Sequence, residues 1–352
     1  MSEASSNLFP MVSIIIVNLD GKKWLKRCIP SVLKSNYPTN MYEIILVDNA
    51  SKDGSVEFVN KAYPRVKTIN LQENIGWSPA NNCGIKSAKG DVFLCLSNDM
   101  EVDANWIREI TRFMTNDKNV GIIQCNSLSM WDRKTLDSSM NYLDKFGYSY
   151  GYRPSENPQE VFFAEGMAFA VKREVVNRIG ILDDYYFMEY DDMDYSWRAR
   201  LAGYRVYFLP SAIVYHARGG TVGRTYFERV KNLKWYTRNH LVTIIKNYEI
   251  RNLIKILPAV LIIETTKILY ILFIKKNVKL SFAAMFGISE IIRDWKLIYV
   301  KRMNVKKVRR VPDKTILKQM HPFVPRLFYS FLVEQSRGKR FISDASPPQA
   351  NP

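Results

Sequence analysis

Three short stretches of this chain carry side chains that could do chemistry together. The first is Ser97-Asn98-Asp99-Met100-Glu101-Val102-Asp103, which follows the apolar run Val92 to Leu96. Carboxylates at alternate positions suit a hard divalent cation, which in turn can bridge a pyrophosphate. Asp103 reads more simply as a helix N-terminal acid favoured by the dipole, which leaves Asp99, nearest the strand end, as the metal candidate. The second stretch is Glu189-Tyr190-Asp191-Asp192-Met193-Asp194. Four acids in six residues repel one another, a cost that a merely structural segment has little reason to carry. Adjacent carboxylates let one act as general base while another holds it, or a nearby hydroxyl, in place. Asp194 reads as an acidic helix start. The third is His216, which closes the β-like run Ala212 to Tyr215 ahead of Arg218-Gly219-Gly220. With Asp99 it would complete a mixed oxygen and nitrogen site, and an imidazole ligand favours Mn2+ over Mg2+.

These groups need a scaffold, and from Val12 to about Asn126 short β-branched runs alternate with helical stretches, as in βαβ units around a mainly parallel sheet. The expected strands are Val12–Val17, Ile44–Val47, Val66–Asn70, Val92–Ser97 and Val120–Gln124. Helical periodicity covers Trp24–Ser35, Ser55–Tyr63, Pro79–Ala88 and Asn105–Thr115. In such sheets ligands bind beyond the carboxyl ends of the strands. Polar residues stand there four times: Asn18, Asp48-Asn49, Asn74 with Gly76, and Ser97-Asn98-Asp99. A ligand of nucleotide size is the natural inference. Neither a GxGxxG turn after the first strand nor a GxxxxGK[ST] loop is present, so dinucleotide folds and P-loop enzymes lose their main warrant.

The chain has 352 residues, 47% hydrophobic and 24% charged, values that exclude bulk disorder and a small disulfide-stapled fold. Its net charge of +17 is unevenly spread. Residues 1–221 carry 25 Lys and Arg against 26 acids, whereas residues 222–352 carry 26 against 8. Cys28, Cys83, Cys95 and Cys125 show no CxxC spacing and read as small core residues in a reducing compartment. The first apolar run, Met11 to Val17, has no basic segment before it and reads as a strand rather than a secretion signal.

Taken together, the segments VSIIIVNLDGKKWLKRCIPSVLKS, EIILVDNASKDGSVEFV, ENIGWSPANNCGI, AKGDVFLCLSNDMEVDANW, FMEYDDMDYSWRARLAGYRV and PSAIVYHARGG resemble the family 2 glycosyltransferases of the GT-A fold, especially their rhamnosyltransferase-like branch. They run in order from Val12 to Gly220, about three fifths of the chain. The resemblance implies an α/β fold, a Rossmann-like and mainly parallel sheet flanked by helices, with a basic amphipathic helical region at the C-terminal side. It implies that Asn18 and Asp48 contact the nucleobase and ribose, and that Asn74, Gly76 and Asn82 line the nucleotide site. Ser97-Asn98-Asp99 stands in place of the family's DxD motif, whose last acid holds the cation. Asp191-Asp192 matches a Glu-Asp pair whose second member is the base, and His216 matches a histidine that in some members also binds the metal. Three departures are present. Ser97 replaces the first DxD acid, so that carboxylate's role is lost or moved; Asp191 is one methylene shorter than the usual Glu; and Glu165-Gly166 stands where the branch often has Cys-Gly beside the acceptor. The implied reaction is metal-dependent transfer, with inversion, from a nucleotide-diphosphate sugar to a hydroxyl of a polysaccharide or lipid-linked glycan, with Mn2+ (or Mg2+) as cofactor.

Beyond Gly220, Arg238 to Asn247 reads as a helix and Leu253 to Ile274 is strongly apolar. Twelve Leu, Ile, Val or Phe residues from Ile256 to Ile274 favour insertion into a bilayer by about 4–7 kcal/mol, while Glu264 and Lys267 oppose it by about 5–7 kcal/mol. A stable span is therefore not expected. Lys275, Lys276 and Lys279 follow this run, and Lys301, Arg302, Lys306, Lys307, Arg309 and Arg310 follow the amphipathic Phe282 to Val300. Such helices suit an anionic membrane surface, which predicts a peripheral or monotopic protein on the cytoplasmic face of the cell membrane. A helical subdomain packed on the catalytic core, or a dimer interface, would carry the same pattern. The expected organisation is a catalytic domain over 1–220, a basic helical region over 221–342 and a loose tail over 343–352. The rival classes are a nucleic-acid-binding protein, suggested by a pI near 9.6, and an inactive sugar-binding protein on the same fold. Against the first, the basic region interleaves Leu and Ile rather than aromatic stacking residues, so no nucleic-acid partner is expected.

Overall fold

The computed structural model describes residues 9–217, 226–323 and 342–343. Strand β1 (Val12–Asn18) leads to α1 (Lys22–Leu33), β2 (Tyr42–Asp48), α2 (Ser55–Ala62), β3 (Lys67–Asn70), α3 (Trp77–Ser87), β4 (Val92–Ser97), β5 (Met100–Val102) and α4 (Trp106–Asn116). The chain continues through β6 (Val120–Ser129), β7 (Met140–Leu143), β8 (Ser149–Tyr152), β9 (Gln159–Glu160), β10 (Ala168–Lys172), α5 (Arg173–Ile179), α6 (Asp191–Leu201) and β11 (Arg205–His216). Five helices follow, α7 (Tyr226–Asn247), α8 (Ile250–Leu269, continued by a π-turn to Ile274), α9 (Val278–Arg293), α10 (Trp295–Val308) and α11 (Asp313–Lys318), before the short β12 (Ile342–Ser343).

All seven residues of β1 are buried, as a central strand covered on both faces requires. Its alternate side chains feed two separate cores. Ile14 and Ile16 pack with Leu25, Ile29 and Val32 of α1 and Trp106, Ile107 and Ile110 of α4. Ile15 and Val17 face Ala80 and Ile85 of α3, Trp197 of α6 and Leu241 and Ile244 of α7. The result is a sheet between two helical layers.

The sheet runs β3-β2-β1-β4-β10-β6-β11-β5, with β9 beside β11. Its ladders from β3 to β4 are parallel, while β10, β5 and β9 run against their neighbours. The expected parallel strands are therefore present, and the antiparallel members are those that the βαβ rhythm does not announce. Register fixes what matters for the site. Asn18 lies opposite Asp48, Val17 opposite Ser97, Ala168 opposite Leu96 and His216 opposite Met100.

The expected elements differ at their ends. Helix α3 begins at Trp77, two residues before Pro79, because Pro is tolerated in a first turn. Strand β3 begins at Lys67 rather than Val66. Arg218, Gly219, Gly220, the boundary expected at 220 and residues 344–352 of the expected tail lie outside the described residues. Ser343 pairs with Tyr152 in a small sheet of β12, β8 and β7. Leu253, Ile256 and Val260 of α8, Val305 of α10 and Ile316 of α11 share the buried cluster of Ile15 and Val17, so the C-terminal helices pack into the core of the sheet.

Candidate active site

Because β1, β2 and β4 are in parallel register, their last polar residues meet at one edge. Asn18 is fully buried, and its Nδ2 donates to Asp48 Oδ1 at 2.7 Å and to Ser51 Oγ at 3.0 Å. Asn98 Nδ2 donates to Asn18 Oδ1 at 2.7 Å, which joins the loop after β4 to β1. Gly21 lets these amides approach: a Cβ there would lie 1.9 Å from Asn98 Nδ2. On the far side, Asn49 Nδ2 donates to Asn74 Oδ1 at 2.9 Å and to the Gly76 carbonyl at 3.2 Å. Gly76 has φ +94°, and a Cβ would come within 2.4 Å of the Phe187 carbonyl, so no other residue fits. Asn82 is buried on α3, with its Nδ2 given to the Leu182 carbonyl at 2.8 Å.

The turn Ser97-Asn98-Asp99 reverses the chain into β5, which pairs antiparallel with the end of β11. That pairing brings two distant residues together, with His216 Nε2 3.3 Å from Asp99 Oδ2. The other ring nitrogen, Nδ1, lies 2.7 Å from Oδ2 of the buried Asp137, on the loop between β6 and β7. Among the described residues no group of three or more His, Cys, Asp or Glu forms a complete metal cage. The Asp99–His216 pair is two-sided and suits an ion whose remaining ligands come from a substrate and water. Glu101 is not part of it, being held by Arg27 and Arg133. Asp103 Oδ1 accepts the Asn105 N–H at 2.9 Å at the start of α4, the role its sequence position suggests.

The aspartate doublet opens α6. Glu189 and Tyr190 just before it both have positive φ, 68° and 66°, a costly pair for residues with side chains. The Tyr190 hydroxyl donates to the Gly147 carbonyl at 3.1 Å, and Asn239 of α7 donates to the carbonyls of Met188 and Glu189, each at 2.8 Å. Asp191 Oδ2 accepts from Ser78 Oγ of α3 at 2.7 Å. Asp192, half-buried, accepts from the Gly166 N–H at 3.0 Å and from its neighbour Met193 N–H at 2.8 Å. Burial raises both carboxyls, and with the negative Asp191 alongside, Asp192 is pushed up to about 8. Asp194 is fully buried against Arg198, Lys246 and Asn247, a structural acid.

Gly166 connects this doublet to the turn after β4. The next residue, Met167, accepts the Ser97 N–H at 2.9 Å, two residues before Asp99. Buried Glu165 accepts from Ser139 Oγ at 3.4 Å, and its backbone N–H donates to Gln124 Oε1 at 3.3 Å. Asn18, Asp48, Asn98, Asp99, His216, Gly166 and Asp192 are thus linked through the β1–β4–β10 end of the sheet, while Asn82 is engaged behind it. Sequence reasoning missed Asp137, Gly21, Ser51 and Trp77. The Trp77 indole N–H is buried without a hydrogen-bond partner among the described residues, 3.4 Å from where a Gly166 Cβ would sit. No motif surrounds Asp137, whereas Gly21 and Trp77 lie inside segments that already carry the resemblance.

Residues 13–180 match the sequence model of the Glycosyl transferase family 2. Glycosyltransferase AglE of Haloferax volcanii is 23% identical over 214 residues, 60% of this chain and 68% of that protein. Among solved structures, residues 1–349 of S. aureus TarS with UDP-GlcNAc give a TM-score of 0.57 at 14% identity, over 89% of this chain and 93% of that one. GalNAc-T7 with UDP, GalNAc and Mn2+ gives 0.55 at 20% identity over 66% of this chain, which spans about half, 48%, of that protein. The strand order, the polar sheet edge and these likenesses agree on a GT-A fold, in which residues 13–180 match the glycosyl transferase family 2 model.

Proposed function

We propose that this protein moves a sugar from a nucleotide-diphosphate donor to a hydroxyl of a glycan acceptor, with inversion at the anomeric carbon. The observation that carries this reading is the gathering of an amide and carboxylate cluster at Asn18, Asp48 and Asn98, a two-donor pair at Asp99 and His216, and a basic carboxylate at Asp192, all at one sheet edge. The amide cluster suits a nucleoside, whose base and ribose need directed donors and acceptors. Asp99 and His216 would hold the divalent cation, Mn2+ ahead of Mg2+, and GalNAc-T7 in complex with UDP and Mn2+ supports that choice. When bound, the cation neutralises charge on the departing diphosphate. Asp192 takes the acceptor proton as the new carbon–oxygen bond forms and the bond to the diphosphate breaks. Its raised basicity fits that task, and Asp191, tied to Ser78, fixes the start of α6. The rhamnosyltransferase-like branch is the finer assignment we favour within the family.

A panel of UDP-, dTDP- and GDP-sugars tested for metal-dependent thermal stabilisation checks the reading, since a ligand that binds the folded state raises its melting temperature. One nucleotide class should stabilise the protein only with a divalent cation. Chelation should stop transfer and donor hydrolysis, and Mn2+ should restore both best. Activity undiminished in chelator removes the metal, and indifference to every donor removes the enzyme.

We further propose that the acceptor is a lipid-linked or polymeric glycan met at an anionic membrane surface, on the cytoplasmic face. The helix Ile250–Ile274 is long and apolar enough to cross a membrane by length and composition. However, its Glu264 and Lys267 point into the protein, where Glu264 is held by Lys267 at 2.7 Å, Tyr148 at 2.9 Å and His240 at 3.0 Å, while Arg251 and Lys255 near its start are exposed. The opposite face, with Ile254, Ile262, Phe273, Phe282 and Phe286, is exposed beside exposed Lys275, Lys276 and Lys279. A one-sided seat fits these facts better than a span. Co-sedimentation with phosphatidylglycerol-containing vesicles should persist in high salt and be lost in Phe282→Asp/Phe286→Asp. Failure to bind vesicles, or salt-reversible retention on DNA instead, overturns it.

A further inference from the structure

We infer that Asp137 is a positioning residue for the cation site, holding His216 in the tautomer and orientation that turn Nε2 toward Asp99. The inference rests on the proposed cation role of Asp99 and His216, and adds a residue that neither the acidic clusters nor the resemblance points to.

The geometry is specific. Asp137 is 2% exposed, a burial that an ionised carboxylate does not accept without partners. Its Oδ2 lies 2.7 Å from His216 Nδ1 and accepts from Ser127 Oγ at 3.2 Å. Its backbone is pinned too: the Asp137 and Ser138 N–H groups both donate to the Ser127 carbonyl, at 2.9 and 3.1 Å. Ser127 pairs with Val214 in the ladder between β6 and β11, so the loop that carries the acid is anchored two residues from the histidine it holds. A carboxylate accepts and cannot donate, so the bond requires a proton on Nδ1 and leaves the Nε2 lone pair free in the neutral ring. Nε2 is the nitrogen 3.3 Å from Asp99 Oδ2. Carboxylate support of this kind fixes the ring orientation and removes the ring-flip freedom that a cation would otherwise have to freeze. Histidine Nδ1 could equally have faced a backbone carbonyl; a buried carboxylate is the stronger partner.

The test separates this inference from the reading on which it rests. Mn2+ binding is measured without acceptor, by the loss of the free-ion electron paramagnetic resonance signal, in the full chain and in Asp137→Asn, His216→Gln and Asp99→Asn. Asp137→Asn should weaken Mn2+ about 10–100-fold, with KM for the donor rising as Mn2+ becomes limiting and being restored by excess Mn2+. If His216→Gln and Asp99→Asn bind Mn2+ like the parent, the cation reading fails and takes this inference with it. If they lose the ion while folded Asp137→Asn keeps parental affinity, the inference alone fails. A second readout needs no variant of Asp137. The chain has three histidines, so substituting His216 assigns its ring resonances. Nitrogen-15 spectra of the metal-free neutral ring should show the proton on Nδ1, and a proton on Nε2 overturns the inference whatever Asp137→Asn does.

Discussion

At the scale of single residues, the doublet at the start of α6 divides its labour by environment. Asp191 accepts from Ser78, and Asp192, half-buried, accepts from the Gly166 N–H. Asp192 must be ionised to take a proton, so transfer should rise with pH along a limb set by a carboxyl that burial and Asp191 push up to about 8. Asp191→Asn should move that limb to lower pH, which a pH–rate profile under saturating donor reads directly. Asp192→Asn should abolish transfer and leave donor binding intact; near-parental turnover would remove Asp192 from the role. The same shift has a stability sign. A carboxyl raised above its unfolded value favours folding below the ordinary carboxylate range, and that contribution is lost as pH rises through about 8. Asp192→Asn should therefore melt higher than the parent at pH 8 to 9, the usual mark of a functional group kept at some expense of stability. The doublet, Asp99 and the polar strand ends were legible in the sequence because each follows an apolar run that must be a strand or precedes a helix. Asp137 was not. Its significance comes from a partner 79 positions away, and nothing local distinguishes it from any acid in a polar loop.

At the scale of elements, the site depends on which strands run backwards. The βαβ rhythm reveals β1, β2, β3 and β4, but β10 and β5 carry Gly166 to Ser97 and His216 to Asp99 by antiparallel pairing, which periodicity does not disclose. Helix α7 is the other hidden part. Its Asn239 grips the carbonyls of Met188 and Glu189 just where the backbone turns left-handed, so a helix from the basic half of the sequence holds the loop before Asp191-Asp192 in a strained form. Asn239→Ala removes two bonds at 2.8 Å, each contributing about 0.5–1.5 kcal/mol. It should lower kcat more than it lowers melting temperature, with KM for the donor little changed; equal losses in a denaturation series and in turnover would show general loosening instead. Gly76→Ala meets the Phe187 carbonyl of the same loop and should destabilise by about 1–3 kcal/mol or more, read by urea unfolding.

At the scale of the whole molecule, the charge asymmetry visible in the sequence becomes an asymmetry of surface. Of eighteen exposed large apolar side chains among the described residues, sixteen lie between Ile250 and Val300. On the inward side, buried charges sit among the apolar Leu253, Ile256 and Val260: Glu264 with Lys267, His240 and Tyr148, and, on the neighbouring α7, Lys246 with Asp183 and Asp194. Burial opposes ionisation of Glu264, yet Lys267 and His240 hold it down at about 2, so its contribution to stability persists above the ordinary glutamate range and fades as pH falls toward 2. Lys267→Met leaves that carboxylate with a weaker partner and should cost about 3–5 kcal/mol, the scale for breaking a buried pair; circular dichroism on heating measures it. The buried charges also bear on how the chain is made. Residues 250–274 leave the ribosome after the sheet strands and α7 have been synthesised, so the surface that receives Glu264 and Lys267 already exists when they emerge. A truncated transcript or a slow-folding variant would present the same stretch bare, and the cell's insertion machinery would then weigh it as a membrane anchor rather than as one wall of a folded enzyme.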